Sequence, residues 1–421
     1  MACSRIAARA ARAFGLATAL GAAISGIALP VSSDASASEK VLYSFQGGSD
    51  GADPFSALIA DASGKLYGTT AVGGGGANCD DRGFGCGTVF ELAPDGTESV
   101  LYAFQGGDDG ALPEAGLVAD GAGDFYGTTV AGGGPDKGTV FKLSSDGTET
   151  VLYAFNGGSD GETPDSNLIL DKHGNLYGTT VYGGNLTGPE CGDIGCGTVF
   201  EVTPAGTETI LYAFQGGSDG LQPSGGLIRD VGGSLYGMAG GGGSGSNCAG
   251  FGCGTVFSIA PNGTKSVLYS FQGGSDGSTP VGGLIKDQGG NLYGATLGGG
   301  GPCDCGTVFK LAPDGTETVL YAFQEGNDGG IPAAGIIMDK AGNLYGTTFA
   351  GGGMHCSHTS DGCGTVFKLA PDGTETVLFA FFGKHGVQPE ASLLMAKHEL
   401  LYGTASAGGK YNDGVVFSVK E

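Results

Sequence analysis

Residues 41–104 read VLYSFQGGSDGADPFSALIADASGKLYGTTAVGGGG, then a cysteine-bracketed insert, then CGTVFELAPDGTESVLYAF. Almost everything after residue 104 is a rewritten copy of this stretch. Its opening triplet returns as Val100-Leu101-Tyr102, Val151-Leu152-Tyr153, Ile210-Leu211-Tyr212, Val267-Leu268-Tyr269, Val319-Leu320-Tyr321 and Val377-Leu378-Phe379. The units therefore start near 41, 100, 151, 210, 267, 319 and 377, at intervals of 51 to 59 residues. A Leu-Tyr-Gly phrase follows each start, Phe-Tyr-Gly in the second unit, and Gly-Thr-Val-Phe closes it, becoming Gly-Val-Val-Phe at Gly414. Seven units with shared landmarks define a repeat architecture.

Each unit reads as four short strands separated by turn signals. In the first unit these are Ser56 to Ala60, Lys65 to Thr70, Gly87 to Leu92 and Ser99 to Phe104, with Pro94-Asp95-Gly96 forming a tight hairpin between the last two. No stretch sustains a 3.6-residue apolar period, so helices are not expected. Four antiparallel strands per repeat of this length match the blade of a β-propeller. Strands of about six residues are too short for a transmembrane barrel, which needs about 9 to 11.

The order of phrases at the two ends predicts a closed ring. The repeat region begins with a lone fourth strand, Val41 to Phe45, and ends with three strands, Ala391 to Met395, Leu400 to Thr404 and Gly414 to Val419. The expected fold is an all-β, seven-bladed propeller of four-stranded antiparallel blades, whose last blade is closed by Val41 to Phe45 pairing with Val415 to Val419. Such closure removes two open sheet edges.

Residues 1–37 lie outside the repeat. Arg5, Arg9 and Arg12 precede an apolar and small-residue run from Phe14 to Leu29, and Ala35-Ser36-Ala37 has the small-x-small form of a cleavage site. We expect a signal peptide over 1–37 and a single exported propeller over 38–421, periplasmic or extracellular, with no transmembrane segment and a monomeric state. Removing three Arg and one Asp leaves 16 basic and 42 acidic residues. Such an acidic surface argues against nucleic acid as a partner. Glycine supplies 89 of the 421 residues, but it clusters between the apolar runs, where turns need it.

In tandem over residues 41–419, the phrases VLYxF, DGxxP, LYGTT and GTVFxL resemble the GloVer repeat of the bacterial "choice-of-anchor tandem repeat" proteins. The resemblance implies a secreted or surface-displayed bacterial protein and carries no specific activity with it. Members often end in a C-terminal sorting segment, a feature with no counterpart between Lys420 and Glu421.

Antiparallel order sends the loops before strand one and those between strands two and three to one face. That face carries the variation between units, and any binding site is expected there or at the channel mouth beneath it. It also holds every cysteine of the repeat region, as Cys79/Cys86, Cys191/Cys196, Cys248/Cys253, Cys303/Cys305 and Cys356/Cys363, each pair within one loop. Five disulfides are the simplest assignment for an exported chain. Zinc is the alternative, against which no pair has Cys-x-x-Cys spacing. Loops this short gain only about 2 kcal/mol each from closure, so the bridges mainly stiffen Gly-rich segments.

Acids also recur on that face, at Asp50, Asp109, Asp160, Asp219, Asp276 and Asp328, with His385 in the seventh unit. One reading is a carboxylate ring that binds Ca²⁺ or a cationic ligand. The other is that each Asp caps its own turn, which repetition in every blade favours. A second set, Asp61, Asp120, Asp171, Asp230, Asp287 and Asp339, sits in the short turns after strand one. His355-Cys356-Ser357-His358 is the one unusual local cluster, and no Gly-x-Ser-x-Gly or His-Glu-x-x-His motif occurs. The favoured function is a non-enzymatic binding or surface-interaction module for an extracellular protein or glycan ligand, without a cofactor. The alternatives are a propeller hydrolase or lyase acting on extracellular polysaccharide, and a Ca²⁺-stabilised structural protein.

Overall fold

A computed structural model describes residues 38–421, except 77, 78, 80–84, 189, 249 and 354–361. The expected leader, residues 1–37, and the His355-Cys356-Ser357-His358 cluster lie outside the described residues.

The described residues form seven four-stranded antiparallel sheets, six of them with their strands in sequence order. Blade 1 comprises Ile59–Ala60, Leu66–Thr70, Thr88–Leu92 and Glu98–Ala103. The seventh blade is completed from the other end of the chain. Ser38–Ser44 pairs with Val415–Lys420, Ser38 opposite Lys420 and Ser44 opposite Val415. The closing strand is therefore the expected one, extended by three residues at its start. Thr404 of blade 7 also donates to the Ser56 carbonyl of blade 1 across 3.0 Å.

A ladder of phenylalanines explains why the phrases repeat. The Phe that ends each outer strand meets the Gly-Thr-Val-Phe ring of the next blade edge to face. Phe45 lies 5.1 Å from Phe90, Phe104 5.1 Å from Phe141, and so on around to Phe381 and Phe417 at 4.9 Å. Seven such contacts run around the ring, and Phe45, Phe90, Phe104, Phe141 and Phe417 are fully buried. Edge-to-face packing adds to the large apolar area each ring buries. The glycine of Leu-Tyr-Gly makes room for this ring. A Cβ on Gly68 would stand 2.9 Å from both the Phe90 ring and Leu58.

The inner strand departs from expectation. Instead of Ser56 to Ala60, only Ile59–Ala60 pairs as a ladder in blade 1, and five of the blades show two-residue inner strands. The hydroxyl of Ser56 accepts from the Thr69 amide at 2.9 Å, and Ser166 accepts from Thr179 likewise. In these two blades a side chain takes the acceptor role that a ladder carbonyl would fill, while Ala115, Ala334 and Ala391 hold the position in the other three short-stranded blades. Blades 4 and 5 have glycine there, and their inner strands lengthen to Leu221–Arg229 and Ser278–Lys286. A Cβ on Gly225 would lie 1.8 Å from the Gly282 carbonyl oxygen, so these two inner strands approach backbone to backbone. One-turn 3₁₀ segments such as Gly107–Asp109 and Gly158–Asp160 are the only helical geometry among the described residues.

Candidate functional site

The face that carries the variable loops is laced together by backbone bonds. In blade 1, Ala52 and Val72 exchange bonds of 2.9 and 3.2 Å, and the Gly74 amide donates to Gly48 O. The residue before the Pro that recurs in each repeat is left-handed though not glycine, as at Asp53, Leu112, Thr163, Gln222, Thr279, Ile331 and Gln388, with φ of 53 to 62°. Such a conformation persists only where surroundings enforce it. Here the amide of each donates to the preceding blade, Leu112 to Cys86 O at 2.9 Å and Gln222 to Cys196 O at 2.7 Å. The identity of this residue changes from blade to blade while its backbone role stays constant.

Four cysteine pairs are disulfide-bonded within their loops: Cys79–Cys86, Cys191–Cys196, Cys248–Cys253 and Cys303–Cys305. Cys363 is disulfide-bonded as well, while Cys356 lies outside the described residues. The bridges sit against the next entry loop. A Cβ on Gly188 would lie 2.2 Å from Gln215 O and 2.8 Å from the Cys191 sulfur. The bridged loop and its neighbour therefore form one close-packed layer.

The six entry-loop acids are all engaged at the seams between blades. Tyr43 of blade 7 donates to Asp50 at 2.8 Å, and the Gln46 amide donates to the same carboxylate at 2.9 Å. The pattern repeats with Tyr102 on Asp109, Tyr153 on Asp160, Tyr212 on Asp219, Tyr269 on Asp276 and Tyr321 on Asp328, at 2.6 to 3.0 Å. Burial and this bond to an acid push the Tyr43, Tyr102 and Tyr153 hydroxyls well above the usual phenol range. The second acidic set closes its own turns. Asp61 accepts from the Ser63 and Lys65 amides and from Tyr67. Among the described residues, no three His, Cys, Asp or Glu side chains gather as a metal-binding group.

The seams also hold residues that the sequence reasoning passed over. The first residue of each outer strand faces the entry-loop acid of its own blade. It is Glu98, Glu149, Glu208, Glu317 and Glu375 in five blades and Lys265 in blade 4, while in blade 7, whose outer strand starts at Ser38, the second residue Glu39 stands there. Burial, then the neighbouring Asp, pushes Glu98, Glu208, Glu317 and Glu375 up to about 7 and Glu149 up to about 8. Lys265 instead forms an ion pair with Asp219 at 2.8 Å. At the seam between blades 6 and 7 His385 replaces the Asp, Phe379 of blade 6 replaces the Tyr, and His385 pairs with Glu39 at 2.6 Å. The signal was present as a Glu one residue after each Gly-Thr turn, with its exceptions at Lys265 and in the final unit.

Apolar exposure is uneven. Of the six large apolar side chains that stand exposed among the described residues, four lie on this loop layer: Leu186 and Ile194 in the blade 3 loop, Phe382 before blade 7 and Tyr411 within it. Lys410 lies over the Tyr411 ring at 4.8 Å.

The sequence matches the Gloeobacter/Verrucomicrobia repeat over residues 4–189, 187–358 and 249–421. The chain belongs to this repeat family. No curated protein matches it significantly. Among solved structures this GloVer chain is similar to a putative 6-phosphogluconolactonase from Bacteroides uniformis, with 16% identity, 76% of this chain and 83% of the other covered, and a TM-score of 0.47. A gluconolactonase from Xanthomonas campestris shows 17% identity over 73% and 85% of the two chains, with a TM-score of 0.41. A putative oxidoreductase (glucose dehydrogenase) from Thermus thermophilus shows 15% identity over 91% and 99%, with a TM-score of 0.43. At these scores the likenesses carry no argument about chemistry. No helix of the described residues is long and apolar enough to cross a membrane.

Proposed function

We propose that the protein is an exported binding module that engages an extracellular glycan or protein through its disulfide-bearing loop face. The observation that carries this reading is the placement of Leu186, Ile194, Phe382 and Tyr411, exposed on rigid loops that differ from blade to blade. Exposed aromatic and aliphatic side chains on a pre-organised layer bind without a large ordering cost. Oxidised loop cysteines and the Arg-led apolar segment at residues 5–29 support export. The layer joins loops from every blade through backbone bonds, so it offers one continuous surface rather than seven independent ones.

The test is a binding screen of the folded, oxidised protein on immobilised polysaccharides and a panel of extracellular proteins, paired with Leu186→Ser/Ile194→Ser and Phe382→Ser/Tyr411→Ser variants. The proposal predicts retention on one class of ligand, weakened at least about tenfold by one double variant while circular dichroism is unchanged. Retention that is equal in both variants, or turnover of the polysaccharide into soluble products, would overturn it.

A further inference from the structure

Blade 4 shows what the first outer-strand position delivers to the seam. The Lys265 ammonium donates to the Asp219 carbonyl and to Asp219 Oδ1, an oxygen that already accepts from Tyr212 at 2.9 Å. Its side chain is only 2% exposed and lies over the rings of Phe214, Tyr212 and Phe257. The position therefore brings a donor to the entry-loop carboxylate. In five other blades a glutamate stands there, and the only proton a carboxyl group can donate is its own. In each of the five, Oε1 is buried without a hydrogen-bond partner.

The groups that face these glutamates are acids and phenols. Glu98 meets Asp50 and Tyr43, and Asp413 lies near enough to Asp50 to feel its charge. Glu149 meets Asp109 and Tyr102, and Glu208 meets Asp160 and Tyr153. Glu317 meets Asp276 and Tyr269, and Glu375 meets Asp328 and Tyr321. In the two remaining blades a hydrogen-bonded partner is built in, as Lys265 on Asp219 and His385 on Glu39.

We propose that the five Glu–Asp seams are proton-held latches, in which each buried Glu keeps its carboxyl proton beside the entry-loop Asp, and loss of that proton loosens both the seam and the loop face above it. The direction of titration agrees, since all five glutamates are held well above the ordinary carboxylate range, first by burial and then by the facing Asp. A carboxyl whose folded value is raised gives stability that is fully present below its unfolded value. That stability is lost as pH rises through the folded value, here through about 7 to 8. Because Asp109 and its counterparts sit in the entry loops, the same protons set the order of the candidate binding face.

The experiment follows thermal unfolding of the oxidised protein from about pH 5 to pH 9, for wild type, for Glu98→Gln/Glu149→Gln/Glu208→Gln, and for Lys265→Glu. Glutamine stands in for the uncharged, protonated carboxyl and cannot ionise. The proposal predicts that the wild-type melting temperature falls across this range and that the triple Gln variant falls less and exceeds wild type at the alkaline end. Lys265→Glu, which installs a sixth pair, should fall more steeply. Carboxyl NMR of ¹³C-labelled Glu in the wild type should show five side chains titrating near neutrality. Equal shifts of the Gln variant at both ends of the range, or five ordinary Glu titrations, would overturn it. So would a rise in wild-type melting temperature with Ca²⁺ at alkaline pH that the Gln variant loses, since a metal ion would then occupy the pair.

Discussion

Replacing Lys265 by Met removes the cation paired with Asp219 at the blade 4 seam while keeping the length and apolar body of the side chain. The ammonium is almost fully removed from water and lies 2.8 Å from Asp219 Oδ1. Burial lowers its pKa, and only the bond to Asp219 and its charge oppose that. Removing one partner of a buried pair costs about 3 to 5 kcal/mol, because the other charge is stranded. Asp219 keeps the Tyr212 hydroxyl and the Gln215 amide, which places the loss at the lower end, about 3 kcal/mol. With an unfolding entropy of about 2.1 cal/mol/K per residue, a cooperative ring of this size should melt about 4 °C lower. Differential scanning calorimetry at neutral pH reads this directly, and Lys265→Met/Asp219→Asn should recover part of the loss. A drop of under about 1 °C, or a wild-type pair weakened as much by salt as an exposed one, would refute the reasoning.

Ala239 replaces the threonine that in other blades pairs with the Gly-Thr-Val-Phe threonine, as Thr70 does with Thr88 at 2.8 Å, and it leaves the buried Thr255 hydroxyl without a partner. Ala239→Thr should therefore stabilise by about 1 kcal/mol, measured as a higher urea midpoint at unchanged slope. Gly68→Ala pushes a methyl to 2.9 Å from the Phe90 ring and Leu58, and should cost about 1 to 3 kcal/mol in the same assay.

Much of the ring was legible because propeller geometry repeats its chemistry. The Phe of each Gly-Thr-Val-Phe, the glycine that admits it and the orphan strand at Val41 are all visible as phrases. The inner strand was not, since whether Ser56 joins a ladder or substitutes its hydroxyl for one is decided by the Thr69 amide, 13 residues away. The entry-loop acids were legible as caps of their own turns, and the structure shows Asp109 accepting from the Gln105 amide four residues before it and from the Tyr of the preceding blade. Their glutamate partners were hidden by distance. Glu98 and Asp50 are 48 positions apart in the chain, and no local pattern links them until the blade twists the outer strand across the seam. Phe379, His385 and Glu39 change together for the same reason.

The propeller is a ring closed by its own first strand, and amide hydrogen exchange read by mass spectrometry tests that most directly. Residues Lys40 to Ser44 should exchange as slowly as Val415 to Phe417, their partners in the seventh blade. Exchange of Lys40 to Ser44 at the rate of a free tail, with Val415 to Phe417 protected, would contradict the closed propeller.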